Sequence, residues 1–236
     1  MKQLSKTESA LFHLYPGIIA AAGFFLLTPY LISKGFPPQF GMLAATGGIA
    51  VPVLLIHLLI IKIRSRQKMQ ELNGLKNRLP VGRIILITVI IVVMAAILWV
   101  LTQPLNDILN KKLFLWLPEW YSLQDLSDFD PDKVKITLLL NILFSGLIIP
   151  VVEEFYFRGY LLPRMESWGK QAFLLNAFLY SIYHFWQPYL YITYFITLLP
   201  LSFVSWKFRN LKPAIIAHVI LNMAGSVLSF AMFYLK

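Results

Sequence analysis

The chain has 236 residues, 58% of them hydrophobic and 14% charged, with a mean hydropathy of +0.68. A water-soluble domain of this length cannot bury that much apolar surface, so composition excludes a soluble enzyme and indicates an all-α, polytopic membrane bundle. Lys and Arg number 21 against 11 Asp and Glu, a net charge of +10 that fits loop cations beside a lipid bilayer better than a nucleic-acid partner, and the absence of cysteine rules out disulfides and thiolate metal sites.

Seven apolar runs read as transmembrane helices, at 12–33, 40–62, 83–102, 136–162, 171–187, 189–206 and 213–235. The first is long and has no small-residue cleavage site behind it, so it reads as a span and not as a removable leader. A basic loop, KIRSRQKMQELNGLKNR, follows the second run. A longer loop after the third carries Trp116, Trp120 and Tyr121, aromatics suited to a membrane interface, and ends acidic. With the N-terminus inside, fifteen of the 21 basic residues, Lys2 among them, fall on the cytoplasmic side, which favours N-terminus in and C-terminus out. No repeat divides the chain. It reads as one membrane domain, with residues 1–102 as accessory spans and 136–235 holding the polar side chains that could do chemistry.

An ionisable residue inside a span costs about 2.5–3.5 kcal/mol on insertion scales, so each is a functional candidate. In PVVEEFYFRGYLLP the apolar character resumes after the two acids, which extends the fourth helix to about Leu162 and places Glu153 and Glu154 within it. Glu154 and Arg158 are four apart and share a face, so Glu154 is expected to pair with Arg158 and to leave Glu153 free. Pro150 removes a backbone bond just upstream and is expected to kink the helix. His184 falls well inside the fifth run, with Tyr180 one turn before it. His218 and Asn222 share a face of the seventh. Taken singly, each has a bland reading as an ion pair, a packed histidine or interhelical glue. Together they offer carboxylates, imidazoles and an amide to one buried locus. Such a set could activate water and hold an oxyanion, or could bind zinc through Glu153, His184 and His218 with a position open for water.

Three motifs in this order resemble the CPBP intramembrane proteases, the group containing the type II CAAX prenyl endopeptidases and the bacterial Abi-type proteins. EExxxR is Glu153, Glu154 and Arg158, followed by Gly159; FxxxH is Tyr180 to His184; HxxxN is His218 to Asn222. Tyr180 departs from the usual phenylalanine by a hydroxyl. The resemblance covers about residues 136–235. It implies hydrolysis of a peptide bond in a membrane-associated substrate, prenylated and CAAX-like or a bacterial peptide, at a site opening toward the cytoplasmic side of a prokaryotic plasma membrane. Glu153 would be the water-activating base, His184 and His218 would polarise water or carbonyl, and Asn222 would complete the oxyanion site, with Glu154, Arg158 and Tyr180 in supporting positions. The resemblance leaves a zinc mechanism and a metal-free glutamate mechanism both open. A non-catalytic immunity or scaffold protein of the same family, and a proton-coupled transporter, are the alternative readings.

Overall fold

A computed structural model describes residues 3–122 and 126–234. Lys2 and Leu235, the last residue of the seventh predicted run, lie outside the described residues. Helix α1 spans Lys6–Ser33, α2 Pro38–Ser65, α3 Val81–Lys112, α4 Pro131–Arg164, α5 Ala172–Tyr183, α6 Pro188–Phe208 and α7 Lys212–Tyr234. Local chemistry sets several of these ends. Ser5 and Glu8 form a reciprocal capping box that starts α1 six residues before the predicted span. Asp130 caps α4 by accepting from the backbone N–H of Asp132 and Lys133, and Pro131 takes the first helical position, where its missing N–H costs nothing.

Six of these helices are long and apolar enough to cross a bilayer. The exception is α5. Its 12 residues rise only about 18 Å, because the helix stops at Tyr183 where the apolar run continues to Gln187. Gln187, immediately before Pro188, leaves the helical region (φ −143, ψ 59), as expected of a residue before proline, and this closes the turn into α6.

The connections gather at two ends of the bundle. At one, the N–H of Leu4 donates to the carbonyl of Arg164, that of Gly74 to Gly159, and that of Asn77 to Arg209, so the N-terminus, the α2–α3 loop, the end of α4 and the α6–α7 link meet there. At the other, Lys133 Nζ donates to the carbonyl of Lys34, joining the start of α4 to the α1–α2 loop. The α3–α4 connection turns back into the bundle. Trp116 is exposed, as an interfacial aromatic should be, but Tyr121 is buried against Phe24 and Phe25, and its hydroxyl donates to the carbonyl of Trp186. Tyr121 is therefore a packing residue that closes the bundle over the short α5, and not the interfacial anchor expected of it.

The hydrogen-bond register of α2 and α4 slips to π form at Thr46–Ala50, Phe144–Ile148 and Glu154–Leu161. The first two slips each end two residues before a proline, Pro52 and Pro150. The N–H of Ile149 reaches back five residues to the carbonyl of Phe144, so the next bond in that register would need an N–H from Pro150, which has none. The helix absorbs the proline by widening one turn, and it continues through the third slip to Arg164.

Candidate active site

Adjacent residues of a helix point about 100° apart, so the two acids of EExxxR meet different neighbours. Glu153, 3% exposed, faces α5 and accepts a 2.6 Å hydrogen bond at Oε2 from the Tyr180 hydroxyl. Glu154, with no exposed surface, faces α7. Its Oε1 lies 3.0 Å from Arg158 Nη1 and 2.9 Å from His218 Nδ1. The spacing argument thus identified the Arg158 partner of Glu154 but missed that the same oxygen also holds a histidine. Glu153 makes no direct bond to either histidine, and the Tyr180 ring beside it lies edge-on to those of His184 and His218.

Both histidines have one ring nitrogen committed. A carbonyl can only accept, so the 2.9 Å contact from His184 Nδ1 to the carbonyl of Tyr180 puts a proton on Nδ1 and leaves the Nε2 lone pair for other work. His184 sits at the C-cap of α5, not inside a span, and the rings of Tyr180, Tyr183, Trp186 and Tyr194 surround it. His218 is fixed at Nδ1 by Glu154, which again presents Nε2.

Asn222, one turn on from His218, donates from Nδ2 to the carbonyl of Ser145 at 3.1 Å. That carbonyl is the acceptor whose π-register donor would have been Pro150. Asn222 therefore ties α7 to α4 at the orphan group left by the proline, with its second amide N–H still to place.

A chain of directed hydrogen bonds backs Arg158. Its Nε donates to Ser202 Oγ, Ser202 donates to Asn176 Oδ1, and Asn176 Nδ2 donates to the carbonyl of Phe157 and to His13 Nε2. His13 Nδ1 donates in turn to the carbonyl of Ser9. The guanidinium also lies 3.8 Å over the ring of Tyr180. Sequence reasoning placed no functional residue on α1, yet His13 anchors the far end of this network. One signal was legible: Asn176, Tyr180 and His184 recur every four residues and mark a single polar stripe on an otherwise apolar helix.

Among the described residues, no three His, Asp or Glu side chains converge closely enough to hold a metal ion. Glu153, His184 and His218 therefore do not form a ligand set as they stand, although Nε2 of each histidine is uncommitted.

Residues 135–224 match the family model described as "Type II CAAX prenyl endopeptidase Rce1-like". No curated protein matches the chain, and no solved structure does. The match spans α4 to α7 and contains all three motifs and every side chain assembled around Glu153 and Glu154 except His13. The family reading of the motifs and the match fall on the same helices, and over residues 135–224 this chain is similar to the Rce1-like CAAX prenyl endopeptidases.

Proposed function

We propose that the chain is an intramembrane endopeptidase of the glutamate type, with Glu153 as the base that takes a proton from water. The observation that carries this reading is the unequal treatment of the two acids. Glu154 is tied through Oε1 to two basic side chains, Arg158 and His218, with its Oε2 sealed inside the bundle, whereas Glu153 has no basic side chain bonded to it and is approached only by hydroxyl groups, Tyr180 at Oε2 and Tyr183 beside it. A carboxylate so placed can accept the proton as water adds to a peptide carbonyl. His184, with its Nε2 lone pair, orients that water. A proton taken up at Nε2 of His218 makes it a donor toward the oxyanion, with Glu154 offsetting the charge, and the second N–H of Asn222 is the other donor. Zinc would supply Lewis-acid activation of water if bound, but the side-chain arrangement does not favour a ligand set, and no step here depends on it.

The substrate is a membrane-associated peptide. The test compares membrane peptides cleaved in cells carrying the wild-type chain or Glu153→Gln, followed by cleavage of the identified peptide, with and without its lipid group, by purified protein. Glu153→Gln is expected to lower cleavage by about 10²–10⁴-fold, the usual contribution of a positioned base, while leaving the protein folded. Cleavage is expected to survive a chelator. Loss on chelation with recovery on adding zinc would overturn the glutamate-type mechanism, and full activity of Glu153→Gln would overturn the assignment of the base.

A further inference from the structure

A recess of about 290 Å³ lies away from the site, at the end of the bundle where the loops converge. Its walls are the α4–α5 link and the last turn of α6. Three features of the lining belong together. Lys170 and Arg209 are cations that form no ion pair among the described residues. Glu166 adds a carboxylate to the same recess, and Trp206, Leu162 and Ala172 give it an apolar flank. Arg209 is not a loosely tethered surface residue. It terminates α6 in the left-handed region (φ 53), and its carbonyl is held by the N–H of Asn77, which fixes where its side chain departs. Gly169, also left-handed (φ 55), folds the link back toward that helix end.

The position decides what can reach this recess. It lies where α4 and α6 end and α7 begins, so it borders the headgroup layer of the bilayer. Basic recesses between helices at this level accept lipid phosphates. A simple anion site would exclude a carboxylate, however, and here Glu166 is part of the wall. Two cations, one acid and a tryptophan beside apolar surface complement a phosphate and an ammonium joined by a short linker, with an acyl chain leaving along α6. We infer that this recess is a binding site for an aminophospholipid, with its phosphate on Lys170 and Arg209, its ammonium on Glu166 and its first acyl carbons on Trp206 and Leu162. The inference is independent of the catalytic reading.

The test is native mass spectrometry of the purified protein exchanged into mixtures of phosphatidylethanolamine, phosphatidylglycerol and phosphatidylcholine with matched chains. Phosphatidylethanolamine should be retained several-fold over the other two. Lys170→Gln with Arg209→Gln should reduce retention of all three lipids several-fold, because all three carry the phosphate. Glu166→Gln should remove the preference for phosphatidylethanolamine over both other lipids while leaving their common retention through the phosphate. Soluble glycerophosphoethanolamine should not compete, because it lacks the chains. All three positions are at least partly exposed, so unchanged thermal unfolding is expected and serves as the control for fold. Equal retention of the three lipids by wild type, retention unmoved by the double variant, or a phosphatidylethanolamine preference that survives Glu166→Gln would each overturn the assignment, as would competition by the soluble headgroup.

Discussion

Arg158 and Glu154 have no exposed surface, and such a pair is held by its geometry more than by its charge. Desolvating two ions cancels most of their attraction, so the pair adds little net stability, but removing one partner strands the other. Glu154→Leu is therefore expected to cost about 3–5 kcal/mol, read as a lowered midpoint of thermal unfolding in detergent. The double variant Glu154→Leu with Arg158→Met should recover much of that loss while remaining inactive, because His218 would still lack its partner. A double variant no more stable than the single one would show that the Ser202–Asn176–His13 chain, and not the ion pair, carries the stability. Tyr180→Phe probes the other acid. It keeps the ring over Arg158 and removes only the hydroxyl on Glu153. A hydrogen bond to a charged acceptor contributes about 1.5–3 kcal/mol, so cleavage of the identified peptide should fall by roughly tenfold or more with the fold intact. Unchanged turnover would mean that Glu153 needs no hydroxyl to hold its position.

Among the elements, α1 packs closely on α5 where Gly17 meets the backbone carbonyl of Tyr183, and any Cβ at residue 17 would collide with it. The contact lies beside His184, so the separation of these helices sets the position of a site histidine. Gly17→Ala should destabilise by about 1–3 kcal/mol through overpacking and should lower activity as well. Gly82→Ala, in open space at the start of α3, serves as the control and should be near neutral. Thermal unfolding and peptide cleavage of the two variants check both statements. The long spans were legible because apolar runs bounded by Pro, Gly and basic residues leave few other ways to place a membrane helix. The end of α5 was not, because Phe185 and Trp186 are as apolar as the helix before them, and hydropathy reports composition and not hydrogen bonding. The same limit applies to the site. Spacing by four revealed Glu154 with Arg158 and Tyr180 with His184, both local pairs. It could not reveal His218 on Glu154 or the Tyr180 hydroxyl on Glu153, since those partners lie on other helices and are chosen by packing. The kink expected at Pro150 was a correct reading of the missing N–H, but a π turn and the Asn222 amide supply the compensation.

At the scale of the whole molecule, the hydrogen bonds that tie the N-terminus, the α2–α3 loop and the α6–α7 link require those segments to share one side of the bilayer. This demand does not depend on whether α5 is long enough to span by itself. The positive-inside bias of the basic residues in those segments predicts that this side is cytoplasmic. Because the chain has no cysteine, single cysteines can report on this without background. Lys76→Cys and Lys212→Cys lie at the basic end and Lys111→Cys and Asp132→Cys toward the other, and all four side chains are exposed. In intact cells a membrane-impermeant maleimide should modify residues 111 and 132 and spare 76 and 212 until the membrane is opened. The reverse pattern would keep the fold and invert its orientation, moving the predicted opening of the site to the outer leaflet. Modification of 76 but not 212 from one side would break the shared end itself, and with it the placement of α4 against α7 that brings His218 to Glu154.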